Sequence, residues 1–128
     1  METKKIQSFT GLIAWQKGHQ LVLLIYKITA NFPQKETYSL IDQMRRAVVS
    51  ITSNIAEGFS RKGLKEKIQF YYLALGSLTE LQNQLLVARD VGYLKDGEFQ
   101  KAANQTIEIS KLVNGLIKSS ETKKAYFP

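Results

Sequence analysis

Along most of this chain apolar residues recur three and four positions apart, and no window alternates over the length of a strand. The pattern predicts four amphipathic helices. The first covers about residues 11–31, with Trp15, Val22, Ile25, Tyr26 and Thr29 on one stripe and Lys17 and Lys27 facing away. "NFPQKE" ends it, because the residue before a proline is pushed out of the α region. The second covers about 36–59, and Leu40, Ile41, Met44, Ala47, Val48, Ile51, Ile55 and Phe59 form its apolar face. The break "SRKG" (60–63) leads to a third helix over about 64–91, with Phe70, Leu73, Ala74, Leu78, Leu81 and Leu85 inward. In "GYLKDG" (92–97), Gly92 is placed to end that helix and Asp96 to cap the next. The fourth covers about 97–118 and uses Phe99, Ala103, Ile107, Val113 and Leu116 or Ile117. "SSETKKAYFP" after it reads as a frayed tail.

Helices of about 20–28 residues are about 30–42 Å long. Their connections are short, so neighbours run antiparallel. The expected fold is all-α, an antiparallel up-down-up-down four-helix bundle over residues 11–118. Flexible segments are expected at 1–10 and 119–128.

At 128 residues the chain suits one domain, which needs no disulfide or metal to hold it. It has no cysteine, so disulfide scaffolds, thiolate zinc sites and cysteine nucleophiles are excluded. "METKKIQSFTG" has no apolar core of signal-peptide length. The longest apolar run, "LVLLIY" (21–26), is far short of the roughly 20 residues of a membrane span. A soluble cytoplasmic protein is expected.

The second helix carries a polar stripe beside its apolar face. Arg46, Ser50, Ser53 and Glu57 lie within about 60° of one another, with Asn54 next to them. Ser77, Glu80 and Gln84 repeat at three and four on the third helix and could face them. Buried polar groups must be paired, so the stripe reads as a structural network between helices, with Arg46 paired to Glu80 or Glu57. Catalysis by Glu57 would need a second group to orient or activate it, and the stripe holds no histidine, cysteine or second carboxylate. No catalytic residue is assigned.

His19 is the only histidine and forms no Glu-x-x-His pair, so the di-iron and zinc readings of a four-helix bundle fail. His19 is expected on a helix surface or interface. No metal or cofactor is expected, and neither phosphate-binding glycine motif occurs. Gly76, inside a helix, is expected to permit close helix packing. Trp15, Tyr26, Phe32, Tyr71 and Tyr72 sit at helical spacing and read mostly as core. Tyr126 and Phe127 do not, and docking on a neighbouring subunit is one reading of them.

Charge adds a direction. There are 18 Lys and Arg against 11 Asp and Glu, a net +7, which bears on partners rather than on fold. In an up-down bundle, the start of the first helix, the second connection and the end of the fourth helix share one pole. Lys4, Lys5, Arg61, Lys62, Lys65, Lys67, Lys118, Lys123 and Lys124 gather there against Glu2, Glu57, Glu66 and Glu121, a balance of +5. The opposite pole comes to −1. Such a pole is the electrostatic footprint of a phosphate-backbone partner. No base-reading motif is visible, so recognition by shape or with weak sequence preference is expected.

"FTGLIAWQKGHQLVLLIYKITANFPQKE", "YSLIDQMRRAVVSITSNIAEGFSRK" and "YYLALGSLTELQNQLLVARDVGYL" together resemble the four-helix-bundle family of 23S rRNA intervening-sequence proteins. The resemblance spans about residues 9–95 and is most distinctive at "RRAVVSITSNIAEG". A related group, the accessory variability determinant proteins of diversity-generating retroelements, shares the bundle. It assembles as a basic homopentameric barrel that binds nucleic acid and a reverse transcriptase. The resemblance implies a homopentamer here, with a reverse transcriptase as partner where a retroelement is adjacent. Family members often have a serine near Gly63 to cap the third helix, and glycine contributes less as a cap.

These readings converge on a non-enzymatic oligomeric bundle that contacts RNA or another nucleic acid through its basic pole. The alternative is a protein-interaction scaffold without nucleic-acid binding.

Overall fold

A computed structural model describes residues 8–126, with side chains to Lys124. Four α-helices follow one another: α1 (Ile13–Thr29), α2 (Leu40–Ser60), α3 (Leu64–Asp90) and α4 (Asp96–Tyr126). Two short 3-10 helices, Phe9–Gly11 and Gln34–Glu36, precede α1 and α2, and no strand occurs among the described residues. Each helix packs on its neighbours in the chain, and α4 closes the ring against α1. The fold is the all-α, up-down-up-down four-helix bundle that the periodicity predicts.

Every helix contributes to one core. Leu21 and Ile25 come from α1; Met44, Val48, Ile51 and Ile55 from α2; Leu78, Leu81 and Leu85 from α3; Ile109 and Val113 from α4. Each such side chain gains about 1.5–3 kcal/mol on leaving water, the main force gathering the helices. Polar ties join the packed pairs as well. Arg45 Nε donates to Thr29 Oγ1 at 3.0 Å between α2 and α1, and Gln82 Nε2 to Thr106 Oγ1 at 3.0 Å between α3 and α4. The hydroxyls of Ser50 and Ser77 meet at 2.8 Å between α2 and α3, and Lys17 pairs with Glu108 at 3.7 Å between α1 and α4.

The buried faces and their extent depart from expectation in three ways. In α4 the buried stripe is Ala102, Thr106, Ile109, Val113, Ile117 and Ser120, whereas Ile107 is 49% exposed and Phe99 and Ala103 are only half-buried. Two members of the true stripe are polar, and each hydroxyl donates to its own helix, Thr106 to Ala103 O at 2.6 Å and Ser120 to Leu116 O at 2.9 Å. Polarity hid the face. The stripe also continues past Lys118, and with it the helix, which runs to Tyr126 where a tail was expected from 119. Leu73 of α3 and Tyr26 of α1, expected inward, are 51% and 43% exposed; the guanidinium of Arg45 lies 4.5 Å from the centre of the Tyr26 ring.

The helix ends explain the connections. Gly92 has φ +87°, open to glycine at little cost, and it ends α3 as expected. Tyr93 N–H donates to Ala88 O at 2.8 Å and Gly92 N–H to Arg89 O at 3.0 Å, the paired bonds of a Schellman turn. Asp96 does not cap α4. Lys95 holds the cap position, and Glu98 Oε1 accepts its backbone N–H at 3.2 Å. Glu36 stands four residues ahead of α2 and not within it. Its Oε2 accepts the Ser39 hydroxyl at 2.5 Å and the Leu40 N–H at 3.4 Å, and its Oε1 accepts the Tyr93 hydroxyl at 3.1 Å. One carboxylate thus joins the α1–α2 and α3–α4 connections.

Candidate nucleic-acid interface

The basic pole is built by the end of α2, the start of α3 and the end of α4. α2 stops at Ser60, and Arg61 turns to extended backbone. Gly63 then starts α3 with no side-chain cap. The two helices come together because Gly58 is buried directly under the ring of Tyr71: a Cβ at Gly58 would stand 2.5 Å from Tyr71 Cε1. Gly18 makes a similar approach to α2, with Thr52 Cγ2 2.9 Å from where its Cβ would be. Gly76, expected to permit close packing, has nothing within 4 Å.

The sequence-derived cations divide into two groups. Lys67 is half-buried and donates from Nζ to Phe59 O at 2.6 Å and Gly58 O at 3.1 Å. It satisfies carbonyls that the end of α2 leaves without helical partners. Burial first, then the nearby charge of Lys123, holds its ammonium below the ordinary value of 10.5. Arg61 is also engaged. It pairs with Glu57 at 3.2 Å and Glu66 at 3.9 Å, and its guanidinium lies 4.7 Å from the centre of the Phe70 ring. Both residues belong to the fold of the pole first.

Lys62, Lys65, Lys118, Lys123 and Lys124 are exposed and form no ion pair among the described residues. Lys65 and Lys124 stand on opposite banks of an open groove of about 400 Å³, with Ile68 and Glu121 completing its lining. Lys123 is close enough to act on Lys67, which places the last turns of α4 beside the start of α3. Lys118 lies about two turns before the end of α4. Lys4 and Lys5 lie outside the described residues, as do Phe127 and the side chain of Tyr126. The groove was not legible from spacing: it needs the eight residues of α4 beyond Lys118, which the helical stripe through Ser120 could have signalled.

The polar stripe is smaller than the sequence predicts. Ser50, Ser77 and Asn54 form it: besides the serine pair, Asn54 Nδ2 donates to Ser50 O at 2.9 Å and Ser50 Oγ at 3.1 Å. Arg46 pairs with Asp42 at 3.0 Å, one turn back on its own helix, rather than with Glu80 or Glu57. Glu57 turns to Arg61, Glu80 accepts from Gln84 Nε2 at 3.3 Å, and Ser53 is exposed. Among the described residues, no group of three or more histidine or carboxylate side chains is placed to hold a metal ion. No helix among them is long and apolar enough to cross a membrane.

Fold and pole together define an all-α bundle with a cationic groove at one end. The family model described as 23S rRNA-intervening sequence protein matches residues 10–115, and the chain belongs to that family. Its fold is similar to the crystal structure of a protein of unknown function from the S23 ribosomal protein family of Bacteroides thetaiotaomicron. The TM-score is 0.75 and the identity 23%, over 83% of this chain and 99% of the other. No curated protein matches the chain.

Proposed function

We propose that this chain is a non-enzymatic, oligomeric nucleic-acid-binding protein that holds an RNA or DNA backbone at its basic pole. One observation carries the reading: Lys62, Lys65, Lys118, Lys123 and Lys124 gather around one end without ion-pair partners among the described residues. Lys65 and Lys124 flank a groove there. Unpaired ammonium groups on a convergent surface attract phosphates and release counterions when they bind them. By family resemblance the assembly is a homopentamer, with a reverse transcriptase as partner where a retroelement is adjacent. Apolar side chains left at the surface of α3, Tyr72, Leu73, Leu86 and Val87, and Val91 just after it, support an assembly of some kind.

The test is binding of RNA and DNA oligonucleotides across a salt series, with Lys62, Lys65, Lys123 and Lys124 changed together to Gln. Arg61 and Lys67 are left intact because their loss would disturb the fold of the pole. The wild type is expected to bind more weakly as salt rises, with a log–log slope of roughly 0.7 per single-strand phosphate engaged. The variant loses most of that slope. No binding at low salt, or a variant indistinguishable from wild type, removes the reading and leaves the protein-interaction scaffold. That alternative has its own support in an apolar groove of about 190 Å³ between α3 and α4, lined in part by Leu85, Leu86, Phe99, Ala103 and Ile107.

A further inference from the structure

Three aromatic rings lie in series where α1 begins. Phe9, in the 3-10 helix, meets Trp15 edge-on, with centroids 5.2 Å apart and planes at 65°. Trp15 then stacks on His19, one turn further along α1, at 4.9 Å with planes only 11° apart. Exposure rises along the series: Phe9 and Trp15 are half-buried, and His19 is exposed. No further aromatic ring among the described residues stacks on His19. A flat ring is therefore backed by a second flat ring and presented towards solvent.

The segment that carries this ring has no acid of its own: no aspartate or glutamate stands between Glu2 and Glu36, a stretch that includes His19, Lys27 and all of α1. Glu108 of α4 stands against this stretch and is paired with Lys17 at 3.7 Å. Gly18, next to His19, packs on Thr52 and Ile55 of α2. This sets the opening turns of α1 beside the final turns of α2, which lead into Lys62 and the basic pole. Aromatic faces next to a cationic surface are the two parts of a single-strand site. The surface holds phosphates, and each exposed ring stacks on a base without regard to sequence. A duplex hides its base faces and can use only the first part.

We propose that the Trp15–His19 stack is a platform for an unpaired base of a single-stranded nucleic acid whose backbone runs to the basic pole. The inference rests on the nucleic-acid reading above and adds strand type and a point of base contact. Trp15 is the only tryptophan, so its fluorescence reports on the site without a label. Titration with oligouridylate should quench it saturably, and an RNA duplex of equal length should leave it unchanged. His19 is exposed, so His19→Ala should fold normally while binding a labelled oligouridylate about 5- to 100-fold more weakly. His19→Phe, which keeps a ring, should bind within a few-fold of wild type. Salt-dependent binding with unchanged Trp15 emission and an inert His19→Ala would overturn this inference while leaving the basic pole in place. Equal quenching by duplex would overturn the single-strand assignment. No binding of either nucleic acid at low salt would remove both readings together.

Discussion

Lys67 shows how one residue type takes different roles at adjacent positions. From sequence it was one of nine cations at a pole, equal to Lys62 and Lys65. In the fold its ammonium is committed to the carbonyls of Gly58 and Phe59. Lys67→Ala should therefore cost about 1–2 kcal/mol in chemical denaturation, because charged hydrogen bonds to orphan carbonyls are lost. Lys62→Ala should stay within about 0.5 kcal/mol, as surface changes usually do. Equal effects would show that Lys67 is not a helix cap. Glu36 makes a comparable prediction for pH. The hydrogen bond from Ser39, ahead of those from Leu40 and Tyr93, holds its carboxyl below the ordinary 4.5. A carboxylate that the fold makes more acidic contributes stability above its unfolded pKa and loses it as pH falls through the folded value. That contribution should therefore disappear in the window below pH 4.5, and Glu36→Gln should flatten that part of a plot of unfolding midpoint against pH. Tyr93 is raised above its ordinary 10.0, by burial first and by Glu36 second, so the same variant should return it only part of the way. An NMR titration of the Tyr93 ring would check this.

At the scale of elements, close approach is decided by two glycines and not by the one in the middle of α3. Gly58→Ala would drive a methyl group into the buried Tyr71 ring, and Gly76→Ala would meet open space. The first should lose about 2 kcal/mol or more by overpacking, and the second should gain about 0.5–1 kcal/mol from helix propensity. Thermal melts of the two variants should shift in opposite directions; a shift of the same sign would contradict the packing described for α2 and α3. α2 was the most legible element, because its buried positions from Ile41 to Ile55 are all apolar except Thr52 and keep one phase. α4 was the least legible. Its interior stripe includes Thr106 and Ser120, whose hydroxyls are satisfied within the helix, so hydrophobicity alone pointed to Phe99, Ala103 and Ile107. Leu73 failed for a related reason: the face of α3 turned to α2 is held partly by Ser77.

For the whole molecule, the prediction concerns assembly. A homopentamer requires a mass near five chains of 14.5 kDa at micromolar concentration. If the exposed side chains of α3 form the contacts, Leu73→Asp with Val87→Asp should give a folded monomer in sedimentation or native mass measurements. A wild-type monomer would remove the pentamer without touching the pole. What the sequence determined by itself was the number of helices, their order and the end of α3 at Gly92. Those features follow from local periodicity and one backbone conformation along a chain with short connections. Only the tertiary structure decided which cations remain unpaired, which glycines sit at contacts, how far α4 runs and that the exposed His19 ring stacks on the half-buried Trp15. These depend on which neighbour a side chain meets. Lys62 and Lys67 are alike until the carbonyls at the end of α2 take one of them and leave the other in water.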